Sequence, residues 1–149
     1  MRFLIQRVKK ASVEVEGKSV GAIGQGLLVL VCAMAGDDQT ISRLMAEKIA
    51  KFRLFSDHDG KTNLSVQDIS GEVLVVSQFT LAAQWKKGNR PGLSRAAAPD
   101  VARDLYEKFV VDMREQGLKV ETGQFAASME VSLINDGPFT LWMDSQHPE

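Results

Sequence analysis

One cysteine and two histidines are all that this chain of 149 residues supplies of the side chains behind most nucleophilic, metal-ligating and neutral-pH proton chemistry. The lone Cys32 lies inside the apolar run Leu27–Cys32, and with no second thiol no disulfide can form within the chain. A buried structural thiol and a reducing compartment are expected. His58 sits in a polar turn and His147 among the last three residues; neither has metal-ligand spacing, and no zinc site is expected. The chain has no G-x-S-x-G elbow, no P-loop and no G-x-G-x-x-G. It also lacks any apolar run near the roughly 20 residues that span a membrane. Its first residues, Met1–Arg7, have neither the apolar core nor the cleavage site of a signal peptide. A cytoplasmic protein without a membrane partner is the expectation.

What is present is ordinary in bulk and uneven in detail. With 44% hydrophobic and 25% charged residues, the chain reads as a soluble globular protein. At this length roughly two-thirds of the unfolded surface can be buried. No repeat, low-complexity stretch or linker divides it, so one domain over 1–149 is expected. The net charge of −1 hides an asymmetry, because no acidic residue falls between Glu72 and Asp100 while Lys86, Lys87, Arg90 and Arg95 all do. That stretch is either a solvated loop or a local phosphate-binding patch.

Periodicity supplies the elements. Val13, Val15 and Val20 alternate with polar residues around Gly17-Lys18, which predicts a hairpin with one buried face. Residues 27–32 form a continuous apolar run, as a strand covered on both faces does. Ile41, Leu44, Met45, Ile49, Phe52 and Phe55 recur at helical spacing, with Asp38 or Thr40 as cap. Asp57-His58-Asp59-Gly60 reads as a turn; its glycine stands fourth, not sixth as a calcium loop requires. Residues 72–79 predict a second buried strand. A basic loop covers 84–95, and a second helix starts near Pro99-Asp100, keeps Val101, Leu105, Phe109 and Met113 on one face, and ends at Gly117. Strands are expected at about 118–123, 128–134 and 139–144. The fold class is therefore α/β: mixed, largely antiparallel sheets in a barrel-like layered arrangement with two main helices.

Two motifs stand apart. Ser77-Gln78-Phe79-Thr80 lies where an apolar strand ends, a place where hydroxyls and amides can face a pocket. Ser77 or Thr80 could act as a nucleophile, but no local histidine or lysine can serve as its base. The alternative is that these side chains merely satisfy the strand end. Asn135-Asp136-Gly137-Pro138 reads, by its own chemistry, as a turn joining two antiparallel strands.

At these motifs the chain resembles the D-aminoacyl-tRNA deacylase family of the bacterial and eukaryotic type. The likeness runs nearly end to end, through Gln6-Arg7-Val8, Gly26–Val31, Lys51–Phe55, Gly60–Ser65, Ser77–Leu81, Lys87–Pro91 and Asn135–Thr140. The resemblance implies an enzyme that hydrolyses the ester between a D-amino acid and the tRNA 3′ end, and that also accepts glycine mischarged on the alanine tRNA. It implies a homodimer with the active site at the subunit interface and no cofactor or metal. Gly137 and Pro138, joined by a cis bond, would reach into the partner's pocket and refuse L side chains by clash, with Arg7 steadying them. The terminal 2′-hydroxyl would help activate water, while Ser77, Gln78, Phe79 and Thr80 line the adenosine and reacting carbonyl. Lys86, Lys87 and Arg90 would touch the tRNA backbone. Two departures concern fine preference: Phe125-Ala126-Ala127-Ser128-Met129 stands where the family shows Phe-Gly-Ala-Asp-Met, and Gly92-Leu93 where a Ser-Phe pair commonly follows. The rival readings are a hydrolase with Thr80 or Ser77 as nucleophile, and a non-catalytic RNA-binding module.

Overall fold

The computed structural model describes residues 1–148, and strand β1 (Arg2–Val15) is its spine. Along one edge β1 pairs antiparallel with β2 (Lys18–Ile23) at its C-terminal half and with β3 (Gly26–Cys32) at its N-terminal half. The β1–β2 turn rests on Glu16 and Gly17, with φ of 50° and 75°, one residue earlier than the sequence suggested. A register shift between Val13 and Glu14 changes the phase of the hairpin. Gly21 and Ile23 therefore face inward, and Val20, expected on the buried face, is 39% exposed.

Helix α1 (Gln39–Ala50) is capped by Asp38, whose carboxylate accepts from the Thr40 and Ile41 N–H groups at 2.9 and 3.1 Å. The helix stops short of the apolar pattern that predicted it. Lys51 and Phe52 N–H groups turn back to Lys48 and Ile49 carbonyls, which closes the last turn. Phe52 and Phe55 thus lie beyond the helix, and Phe55 is buried from β4 (Phe55–Ser56), which pairs with β5 (Thr62–Leu64) in a separate ribbon. Leu44 faces outward, because small residues, Ser42, Ala46 and Ala50, form much of the buried face.

Strand β6 (Glu72–Ser77) runs parallel to β3, and β7 (Lys119–Thr122) runs parallel to β6. Between them lies α2 (Pro99–Glu115), with Leu105, Phe109 and Met113 buried, Val101 exposed, and Gly117 at φ 78° just past its end. The last element overturns an expectation. Residues 128–144 do not form two strands joined by a turn; β8 (Glu130–Asp144) is one strand, paired antiparallel with β1 on both sides of Pro138. The pairing moves from Gln6↔Thr140 to Val8↔Asn135, so the residues between are pushed out as a bulged loop while the ladder resumes.

The sheet order β2-β1-β3-β6-β7, with β8 on the far edge of β1, is mixed as expected. It curls until β2 meets β7: a Cβ added to Gly21 would stand 2.4 Å from the Thr122 carbonyl oxygen. Inside this nearly closed barrel pack Val8, Val13, Leu28, Leu74 and Val76. On its outer face Phe3, Ile5, Leu27, Val29 and Val75 pack against Ile49, Phe109 and Met113 of the helices. β3 and β6 are thus covered on both sides, which their unbroken apolar runs require. The helices are joined by a buried bond from Ser42 Oγ to Asp112 Oδ2 at 2.7 Å.

Candidate active site

Two parallel neighbours carry β6 deep into the molecule, so its C-terminal end delivers Ser77 to the rim of the core. The Gln78 N–H extends the ladder by one bond to Val31 O, and the chain then tightens into a 3-10 turn, Phe79–Ala82. The Phe79 and Thr80 N–H groups open that turn, where helical bonding offers no acceptor. Gln78 Nε2 donates to Thr80 Oγ1 at 2.5 Å. The four residues face different ways. Ser77 and Phe79 line a cavity of about 220 Å³, whereas Thr80 lines a separate groove of about 1500 Å³.

The cavity is lined mostly by apolar residues, with Ser77, Cys32 and Tyr106 among them, and its aromatic wall was not foreseen from the sequence. Tyr106 and Phe125 form that wall, their rings 5.7 Å apart, with the Arg103 guanidinium 4.7 Å above Phe125. The Tyr106 hydroxyl donates to Val75 O at 3.0 Å, and burial pushes its pKa up to about 12. Burial also raises the Cys32 thiol, which donates to Phe79 O; it is the buried structural thiol expected. Ala126, on the same wall, adopts φ 62° within a turn closed by Ala127 N–H to Gln124 O. A non-glycine residue pays about 1 kcal/mol there, a cost that glycine would not incur.

Gly137 and Pro138 lie at the tip of the β8 bulge, exposed, and their peptide is cis, as the resemblance implied. Arg7, only 8% exposed, braces the loop from beneath. Its Nε donates to Asp136 O at 3.0 Å and pairs with Asp136 Oδ2 at 3.2 Å, its Nη1 donates to Leu54 O at 2.6 Å, and its guanidinium lies 4.0 Å from the Phe139 ring centroid. Asn135 Nδ2 ties the two ends, donating to Arg7 O and Phe139 O at 3.0 and 3.1 Å. Within one chain, Gly137 and Pro138 line neither the Ser77 cavity nor the groove.

The basic loop is closed at its base by paired bonds between Gln84 and Gly92. It presents Lys86, Lys87 and Arg90 to the groove that holds Thr80. His147 lines the same groove, but its Nδ1 faces Asp144 at 3.4 Å, and Thr80 Oγ1 is engaged by Gln78. His58 is on the exposed turn at the other ribbon, where Asp57 spends its carboxylate on the Asp59 and Lys61 N–H groups and on Asn63. Among the described residues no helix is long and apolar enough to cross a membrane.

A model of the D-Tyr-tRNA(Tyr) deacylase family matches residues 4–144. The chain is 59% identical over 145 residues to a D-aminoacyl-tRNA deacylase of Paracoccus denitrificans (strain Pd 1222), covering 97% of each. It is 55% identical over 146 residues to one of Thermosipho africanus (strain TCF52B), covering 98% of each. Among solved structures, a c-Myc DNA unwinding element binding protein superposes with a TM-score of 0.91 at 38% identity, covering 97% of this chain and 99% of that one. A probable eukaryotic D-amino acid tRNA deacylase superposes with a TM-score of 0.82 at 18% identity, over 95% and 97%, a likeness of fold.

Proposed function

The chain belongs to the D-Tyr-tRNA(Tyr) deacylase family, and from that premise we propose how its geometry hydrolyses the ester of D-aminoacyl-tRNA to free D-amino acid and tRNA. The observation that carries the reading is a separation. The braced loop bearing Gly137 and Pro138 projects from one chain, while Ser77 and Phe79 of the strand-end motif line a cavity that this loop does not reach. A homodimer in which each loop enters the partner's cavity joins the two halves, one domain of each chain contributing to either site. Exposed Leu133 and Ile134 beside the loop support such contact between copies.

In that arrangement the loop is a filter. Its main chain, held by Arg7 and Asn135, stands where an L side chain would project, so L-aminoacyl-tRNA is refused by clash. A D side chain points elsewhere, and glycine carried on the alanine tRNA has none to refuse. Chemistry comes from position. Ser77, Gln78, Phe79 and Thr80 line the terminal adenosine and the carbonyl, and the N–H groups of Phe79 and Thr80 take the charge that develops on the carbonyl oxygen. With no base beside Thr80, the terminal 2′-hydroxyl helps activate the attacking water. Lys86, Lys87 and Arg90 contact the tRNA backbone. The reaction belongs in the cytosol, where charged tRNA is made.

The test measures amino-acid release from D-tyrosyl-tRNA and L-tyrosyl-tRNA, with Thr80→Ala and a tRNA ending in 2′-deoxyadenosine as the second arm. Release from the D form alone is expected, with substantial activity kept by Thr80→Ala and little on the deoxy substrate. Equal release from both hands would remove the filter. A dead Thr80→Ala with normal hydrolysis of the deoxy substrate would replace the RNA-assisted reaction by a threonine nucleophile.

A further inference from the structure

The groove beside the cavity carries more than the basic loop. The chain has only two tryptophans, and both line it: Trp85 is 74% exposed and Trp142 52%. The Arg2 guanidinium lies over the Trp142 ring at 5.6 Å from its centroid, and about half of the residue stays exposed. Lys86, Lys87, Arg90 and Arg95 stand on the same walls, and none of them forms an ion pair among the described residues. Among the described residues the one acidic side chain lining the groove, Asp144, is already paired with Arg2 at 2.9 Å. The groove is therefore strongly cationic on a chain whose net charge is −1.

Its floor leads to the catalytic turn. Thr80 and Leu81 line the groove, Phe79 lines the cavity, and Phe79 itself is 56% exposed. Free cations spaced along a channel with exposed aromatic rings are what a single nucleic-acid strand needs, phosphates meeting the cations and bases stacking on the rings. A protein partner would be offered the same rings but four cations that no acidic side chain pairs among the described residues.

We infer that this groove binds the unpaired 3′ strand of the tRNA acceptor end, with Trp85 and Trp142 as base-stacking platforms and the basic loop on its phosphates, and that it feeds the terminal nucleoside past Phe79 into the cavity. The inference deepens the proposed function and rests on it. It adds stacking residues to a reading that had only charge contacts.

The two tryptophans are the chain's whole complement, so their fluorescence reports on the groove without any substitution. Titrating the intact protein with a short single-stranded RNA ending in CCA should quench the emission, and the quench should weaken as salt rises. Trp85→Ala and Trp142→Ala should each raise KM for D-tyrosyl-tRNA about tenfold, the size of one lost stack, with kcat much less affected. Trp85→Phe and Trp142→Phe should restore most of the loss, which a merely structural role would not reproduce through KM. Emission that ignores RNA but shifts on protein dilution would overturn the inference and put a second copy in the groove. Full activity with unchanged KM in both alanine variants would overturn it too. Loss of all deacylation by the unmodified protein, with quenching intact, would instead strike at the proposed function.

Discussion

Arg7 joins three segments that are far apart in sequence: its own strand, the Leu54 carbonyl and the loop at Asp136. A buried guanidinium has few ways to be satisfied, and here its donors hold the loop that carries Gly137. Replacing it by methionine fills similar space but leaves the Leu54 carbonyl without this donor, at a cost of about 1–3 kcal/mol. Arg7→Met should therefore lower Tm and also loosen discrimination, raising release from L-tyrosyl-tRNA relative to D-tyrosyl-tRNA; an unchanged ratio in folded protein would mean the brace does not serve the filter. At this scale much was legible in advance. Cys32 in its apolar run and Asp38 as a helix cap follow from local rules. Val20, Leu44 and Val101 did not sit as their spacing implied, since a bulge, a small-residue helix face and the first turn of α2 each changed which side faced the core.

Elements were read with more success where they are covered on both sides. β3 and β6 are unbroken apolar runs because helices and barrel interior press on opposite faces. Their spacing depends on Gly26, where an added Cβ would fall 1.8 Å from the Glu72 carbonyl oxygen. Gly26→Ala should force the parallel pair apart and cost about 3 kcal/mol, the upper end for overpacking; denaturant unfolding measures it, and a loss under 1 kcal/mol, about a single methylene, would show that the strands part freely. β8 was harder. Asn-Asp-Gly-Pro has the composition of a chain reversal, and nothing local reveals that β1 continues alongside both halves, so that the same residues become an outward bulge. α1 was overextended for the opposite reason: Phe55 keeps helical spacing yet reaches the core from β4.

At the scale of the whole molecule, residue chemistry alone led only as far as a missing base; the family likeness carried the reaction, and the cavity's aromatic wall needed tertiary contacts between α2 and residues 123–129. Assembly is the part most exposed to test. Ile134 is 46% exposed in β8, one position from Asn135, so a charge there should be tolerated by the isolated fold but not by a face shared between copies. Ile134→Glu should sediment as a monomer with native circular dichroism and negligible deacylation; a fully active monomer would mean each chain completes its own site. Arg2 bears on the same economy of parts. It holds Asp144, the Trp142 face and the Leu81 carbonyl at 2.9 Å, so one side chain fastens the wall of the groove to the turn that begins at Phe79. Wall and turn are mechanically linked through this one residue, so Arg2→Met, unlike either tryptophan variant, should lower kcat as well as raise KM in steady-state deacylation.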